Sequence, residues 1–417
     1  MTTLLSPRDL EVALELRDLS DPASGPHAMQ SLLDDVLAAL SSTWSCSLDV
    51  QRRRPLVSVE DNYDRLGYAA ADVTRDARYS RYAAETVMLR SHTTAGVPPA
   101  LRALARTTAV EADVDVLLAL PGVCYRRDSI DRLHVGTPHQ VDLWRIVTTG
   151  SAGRRLDAED LQQMVELVVG AVLPGARWRT SPARHPYTTS GLQVDVCSAS
   201  GWVELAECGL AAEHVLVGAG LDPVRCTGLA LGMGLDRALM LRKGIPDIRV
   251  LRSTEPRIAE QLLDLRPWRP VSSQPSIRRD LSIVADAPVD AELLGDAVRT
   301  ALGPAVDDLE AVTVLSSTGY ADLPDAARRR LGLRPDQVNV LLRLVLRPLS
   351  GTLTDQRANE LRDQVYAAVH RGPHQEWATR SGSGPLVAVD ARAAGSGPVP
   401  GGGRRSAAGS GMGFRRR

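Results

Sequence analysis

The sequence has one lysine, Lys243, and one phenylalanine, Phe414, in 417 residues. Positive charge is therefore carried almost wholly by arginine, and 49 basic residues face 50 acidic ones. That balance excludes a globally basic nucleic-acid coat, so any contact with RNA has to come from local patches. Cysteine is scarce as well. Cys46, Cys124, Cys197, Cys208 and Cys226 are scattered and contain no Cys-x-x-Cys pair. The set argues against a disulfide framework or a structural zinc site, and for reduced, mostly buried thiols. No apolar run approaches membrane-spanning length, and the opening stretch lacks a basic region followed by an apolar one. No membrane association is expected, and the cytoplasm is the expected location.

What is present is length, enough for about two or three domains. An amphipathic helix is predicted over 27–40, with Met29, Leu32, Leu33, Val36 and Leu40 at helical spacing on a face that suits either core or a dimer contact. A strand is expected over 48–59, carrying Arg52, Arg53 and Arg54 inside it. Residues 88–94 then crowd His92, Thr93 and Thr94 ahead of a proline-started helix at 98–104. Such a cluster reads as helix capping or as the wall of a polar pocket.

Residues 114–128 and 139–146 read as two strands joined by a polar loop, an antiparallel hairpin. Alternation puts Arg126 and Asp128 on one face, and Gln140 and Asp142 together on the returning strand. Charge inside strands costs free energy unless paired, so these residues suit either cross-strand ion pairs or a polar ligand. A helix follows over 156–172, with Asp157, Glu159 and Asp160 suited to its positive N-terminus. Further strands are expected at 178–179, 193–197 and 202–208, the last carrying Glu204 and Glu207. His185, Pro186 and Tyr187 lie in a polar, aromatic loop.

The stretch 227–252 reads as a buried strand, a turn at Gly232-Met233-Gly234, and a helix from Leu235 to Gly244. Glycine lets backbone approach a ligand, and a helix N-terminus offers free N–H groups to an anion. Arg237 adds a guanidinium fork suited to phosphate. An ordinary strand–helix junction would look the same.

Taken together, Tyr125-Arg126-Arg127-Asp128, His134 and His139-Gln140-Val141-Asp142 resemble motif 2 of the class II aminoacyl-tRNA synthetases, in the phenylalanyl-tRNA synthetase catalytic-subunit form. Residues 228–237 resemble motif 3, and 202–209 and 244–249 are similar to the same family. The resemblance covers about 58–252 and implies an α+β fold, an antiparallel sheet flanked by helices. It implies an ATP- and Mg²⁺-dependent ligase that forms an aminoacyl-adenylate and transfers it to tRNA, phenylalanine being the simplest substrate. A paralogue acting on another amino acid or a non-tRNA acceptor, and a non-catalytic tRNA-binding protein, are the alternatives.

By resemblance, Arg126 and Arg237 are catalytic. Asp128, His134, Gly232 and Gly234 join them in binding ATP, and Glu204 binds both ATP and the metal. His92, Thr94, Gln140, Asp142, His185, Tyr187, Glu207 and Ala230 surround the amino acid. The chain departs from the family pattern where His185-Pro186-Tyr187 replaces phenylalanine-proline-phenylalanine. Asp142 stands in for a glutamate, and Glu207 stands where a small residue is expected. A buried Glu207 implies either a substrate more polar than phenylalanine or a neutralising arginine nearby, for which Arg184 is the candidate. A monomer and a homodimer are both compatible with the pattern.

The catalytic domain is expected over 1–261 and a linker over 262–274. From 275 to 378 a β-α-β-β-α order predicts a ferredoxin-like sandwich. It resembles the anticodon-binding domain of phenylalanyl-tRNA synthetases, with Arg278, Arg279, Arg343 and Arg347 facing RNA. This fusion matches the single-chain organelle type and brings no editing module. Residues 379–417, rich in Gly, Ser and Arg, are expected to be disordered.

Overall fold

Alternation within 226–234 fixes the centre of the molecule. Leu229, Leu231 and Met233 point into one buried cluster, while Ala230 packs into another on the opposite face. The computed structural model describes residues 4–70, 80–107, 114–148, 155–198, 201–271, 275–349 and 351–373; the segment 379–417 lies outside them.

The first ten strands, in chain order, are β1 (Ser47–Val50), β2 (Leu56–Ser58), β3 (Arg81–Ala84), β4 (Val87–Leu89), β5 (Val114–Val123), β6 (His139–Thr148), β7 (Trp178–Pro182), β8 (Thr188–Ser198), β9 (Gly201–Ala211) and β10 (Cys226–Gly234). Seven of them form the main sheet in the order β1-β5-β6-β10-β9-β8-β7, antiparallel except where β1 meets β5. β2, β4 and β3 form a small separate sheet. Arg52, Arg53 and Arg54 lie between β1 and β2 rather than inside one strand. That correction has a simple cause, since three adjacent charges cannot all face away from a packed sheet.

One sheet face is covered by helices Ala28–Trp44 and Ala158–Val172. Met29, Leu32, Leu33, Val36 and Leu40 are fully buried there, so the apolar face of the first helix is spent on core within one chain. Each such side chain contributes about 1.5–3 kcal/mol on burial. The opposite sheet face has two ends. At one, Trp144, Ile146 and Ala230 pack under helices Val97–Thr107 and Glu213–Gly218. At the other, the floor of the sheet is left open.

Three more strands, β11 (Ile277–Asp286), β12 (Leu309–Gly319) and β13 (Gln337–Leu346), form a second antiparallel sheet in the order β11-β13-β12. Helices Ala291–Leu302 and Asp355–Val369 pack on it around Ile283, Val298, Leu342, Leu361 and Val365. The β-α-β-β-α order read from the sequence is the order seen, with a short extra helix, Asp325–Leu331, between β12 and β13. All five cysteines are free, and no described helix is long and apolar enough to cross a membrane.

Candidate active site

The glycines of 232–234 are not a turn. β10 runs through Gly234 directly into helix Leu235–Lys243, and Gly232 and Gly234 pair across the sheet with Asp142 and Gln140. Their value is a bare strand face. A Cβ on Gly232 would meet nothing nearer than Asp142 Oδ2 at 3.9 Å, so the space above it stays open. Above this floor lies a cavity of about 710 Å³.

Of the expected residues, Arg126, Asp128, His134, Glu204, Gly232, Gly234 and Arg237 all line that cavity, as do His92, Thr94, Gln140, Asp142, Tyr187 and Glu207. Two do not. Ala230 is buried beneath it in the apolar end of the sheet, and His185 stands behind the wall, stacked on Tyr187 with ring centroids 5.6 Å apart.

The first half of the cavity carries mobile-length charged groups. Arg126 and Asp128 lie beyond the end of β5, where backbone bonds from Cys124 to Pro138 and from Arg126 to Gly136 continue the pairing. Arg126 Nε is 3.4 Å from Asp128 Oδ2, as the shared face predicts. His134 Nδ1 lies 2.8 Å from Asp131 Oδ2, and this bond holds its imidazole above the usual range. Arg237 leaves the first turn of its helix, donates to the Glu204 carbonyl at 3.2 Å and sits 3.5 Å from Glu204 Oε1.

Glu204 keeps 46% of its side chain exposed. Among the described residues no group of three or more His, Cys, Asp or Glu forms a metal cage. A half-exposed cavity carboxylate such as Glu204 fits magnesium, which takes one or two protein oxygens and completes its shell with phosphates and water.

The second half is buried. Thr93 and Thr94 hydroxyls donate to Asp142 Oδ2 at 2.8 and 3.0 Å, and the Trp144 indole donates to Oδ1 at 3.3 Å. Thr94 lines the pocket and Thr93 bonds the same carboxylate, and among the described residues neither hydroxyl accepts a backbone N–H of helix Val97–Thr107. Burial lifts Asp142 above the usual carboxylate range, an effect its three donors offset only in part. Burial and the nearby Arg126 charge push His92 down to about 4, so it is a neutral ring at working pH. Neither of its buried ring nitrogens has a hydrogen-bond partner among the described side chains.

The partner expected for Glu207 was Arg184; the structure supplies His185 instead, whose Nε2 lies 3.1 Å from Glu207 Oε2, while Arg184 is exposed. A histidine packed behind Tyr187 reaches that carboxylate where an exposed arginine does not. The contact holds Glu207 below its usual range despite burial.

Sequence reasoning missed three kinds of residue. Tyr63 and Tyr68 complete an aromatic wall with His92 and Tyr187, at centroid distances of 5.7–6.3 Å. Asp236 is buried, accepts the His139 backbone N–H, and faces Arg252 at 3.3 Å. Burial alone would raise it, but Arg252 and His139 bring it down to about 2. Its position beside Arg237 in a helix first turn was the available signal. The third kind comes from the second sheet unit. Glu292 lines the cavity, and Arg299 donates to the Asp128 and Ser129 carbonyls. Ile130 of the same loop sits in that unit's core, and Val312 N donates to its carbonyl at 2.9 Å. Gly295 permits this approach, since a Cβ there would lie 2.6 Å from the Asp128 oxygen. Nothing local in the sequence announces such contacts.

The four arginines expected to face RNA do not share one surface. Arg279 reaches Asp355 and Asn359 on a helix, Arg343 pairs with Asp280 across the strands, Arg347 pairs with Glu310, and Arg278 is exposed.

Residues 26–262, more than half the chain, match the family described as tRNA synthetases class II core domain (F). The chain is 31% identical over 215 residues to the phenylalanine–tRNA ligase alpha subunit of Leptospira biflexa, across 48% of this chain and 59% of that relative. It thus spans about three fifths of the length of that relative. It is 24% identical over 327 residues to the chloroplastic/mitochondrial phenylalanine–tRNA ligase of Arabidopsis thaliana, across 76% of this chain and 70% of that one. A solved pyrrolysyl tRNA synthetase of Desulfitobacterium hafniense overlaps 59% of this chain and 78% of its own, at 18% identity and a TM-score of 0.41.

Proposed function

Since the chain belongs to the class II tRNA synthetase core domain (F) family, we propose that it is an ATP-dependent aminoacyl-tRNA ligase of the phenylalanine–tRNA ligase type. The observation that carries this reading is the meeting of Arg126, Arg237 and Glu204 with His92, Thr94, Asp142 and Tyr187 around one cavity. Charge and polar groups suited to a nucleotide triphosphate lie on one side of it, and a buried aromatic pocket lies on the other.

Adenylate formation requires the amino-acid carboxylate to attack the α-phosphorus in line with the departing pyrophosphate. The protein helps mainly by position and by fixed positive charge where charge builds up. Arg126 holds the α-phosphate and the attacking carboxylate, and Arg237 holds the γ-phosphate after parting from Glu204. Asp128 and His134 orient the nucleotide from their loop, and Gly232 and Gly234 let substrate lie against the sheet. Glu204 would hold Mg²⁺ together with phosphate oxygens, and the ion, when bound, neutralises phosphate charge. His92 is neutral and accepts a hydrogen bond from the amino acid, while Gln140 and Asp142 lie alongside it. A tRNA hydroxyl then attacks the acyl carbon, forming the ester as the acyl–phosphate bond breaks and AMP leaves.

The second sheet unit is read as a ferredoxin-like anticodon-binding domain spanning 275–378. Its element order and its first-third-second strand arrangement support that reading. Arg278 is the arginine best exposed for RNA, with Arg343 beside it. The proposed location is the cytoplasm and the proposed state a monomer or a homodimer, although the buried face of helix Ala28–Trp44 leaves little there for a partner.

ATP–pyrophosphate exchange measured with each amino acid in turn tests the proposal. Exchange with an aromatic amino acid supports it, and silence with every amino acid overturns it.

A further inference from the structure

Asp142, Gly232 and Glu207 are cross-strand neighbours on β6, β10 and β9, facing the same cavity. Two strand spacings set the carboxylate-bearing backbones about 10 Å apart, with no side chain on the glycine between them. The two acids differ in how they are satisfied. Both oxygens of Asp142 are taken by Thr93, Thr94 and Trp144. Glu207 meets His185 through Oε2 alone, and its Oε1 has no hydrogen bond among the described residues while 42% of the side chain stays exposed at the cavity. His185 is itself held in place, stacked on Tyr187 and 3.2 Å from the Thr188 hydroxyl. A fixed, ionised acceptor therefore looks into a slot walled by Tyr68, Tyr187 and His92.

We infer that this slot selects an aromatic amino acid whose ring carries a hydrogen-bond donor, such as a hydroxyl, over phenylalanine, and that Glu207 is the residue that reads the donor. The inference deepens the adenylation reading and rests on it. The flat walls call for a ring, and an ionised carboxylate can only accept a hydrogen bond. An unsubstituted ring pressed against Glu207 would strip water from the acceptor and return nothing, an imbalance that sites built around a substrate hydroxyl use for strong discrimination. Filling the gap over Gly232 with a hydroxyl would satisfy the free oxygen without disturbing Asp142.

The test compares phenylalanine, tyrosine and meta-tyrosine in ATP–pyrophosphate exchange with the full chain and with the Glu207→Ala and Glu207→Gln variants. The expected result is kcat/KM at least about tenfold higher for one hydroxylated ring than for phenylalanine. Glu207→Ala reverses that order, Glu207→Gln falls between, and kcat for the best ring changes less than KM. Phenylalanine preferred by the unaltered chain, with the ratio unmoved by Glu207→Ala, overturns the inference. A cationic amino acid preferred over all three rings overturns it too. If no amino acid supports exchange, the adenylation reading fails, and calorimetric titration of the same three rings decides on Glu207 separately. Tighter binding of a hydroxylated ring, lost in Glu207→Ala, supports the inference; equal or absent binding overturns it.

Discussion

On one side of the cavity Arg126 and Glu204 keep 40% and 46% of their side chains exposed, and their contacts of 3.4–3.5 Å to Asp128 and Arg237 are loose. On the other side Asp142 is 4% exposed with three donors on its two oxygens, and His92 is driven neutral. Loose, hydrated pairs can be parted by a phosphate at small cost, because exposed ion pairs are worth little to the fold. Asp142 cannot lose its partners without leaving buried donors unpaired. On the proposed reading the first side exchanges partners during the reaction, while the Asp142 end keeps one shape.

Arg237→Ala separates the two sides most sharply. It should lower exchange by at least about 100-fold, as loss of a fixed positive charge at the reacting phosphates does, and leave the urea midpoint nearly unchanged. Asp142→Ala should do the reverse in stability. It strands the Thr93 and Thr94 hydroxyls and the Trp144 N–H, costing about 3 kcal/mol or more in urea unfolding. A loss under about 1 kcal/mol would mean that the buried side is not saturated as described.

The pH dependence of folding reports the buried groups. His27 caps helix Ala28–Trp44 through Nδ1, donates from Nε2 to the Leu251 carbonyl, and burial pushes it down to about 4. The unfolded chain takes up a proton near pH 6.5 that the folded chain refuses until about 4. Stability is therefore full above pH 6.5, falls as pH drops through this window by about 3 kcal/mol for such a shift, and levels below it. His92 acts in the same direction. His27→Asn, which keeps a capping oxygen, should flatten part of the slope in urea titrations across pH 4–7.

Gly295→Ala probes how the exposed side is held. The new methyl collides with the Asp128 carbonyl, so the loop must shift. Initial-rate kinetics should give an ATP KM raised about tenfold, a displacement effect of the kind expected when positioning is lost, with the amino-acid KM within about twofold. Equal changes in both would erase the distinction between the halves. Smallest is Arg343→Ala, whose exposed pair with Asp280 should leave the urea midpoint nearly unchanged. A tRNA gel-shift that weakens with this change, and with Arg278→Ala, would support the RNA-facing reading.

Much of the site was legible because it is carried by strands. Period-two alternation places Gln140 with Asp142 and strips one face of β10 to Gly228, Ala230, Gly232 and Gly234, whatever the rest of the chain does. The same glycines suit a turn as well as a bare strand face. Gly-x-Gly before a helix looks like a turn until the strands on both sides are known, and only pairing with Asp142 and Glu207 keeps 232–234 extended. The role of Thr93 and Thr94 is open for a related reason: a hydroxyl before a helix is available to accept a backbone N–H, and the acceptor that takes its own proton here, Asp142, is 49 residues away from Thr93 in sequence.

By itself the sequence determined the periodic helices, the strand faces, the reduced cysteines and the charged residue types that converge on the cavity. These are local properties of spacing and chemistry. The tertiary structure alone decided which charges pair between segments distant in the chain. It gave Glu207 to His185 instead of Arg184, set Asp236 between His139 and Arg252, and brought Glu292 and Arg299 against a loop some 170 residues earlier in the chain. Pairing energy depends on distance and burial, and both are set only when the chain has closed on itself.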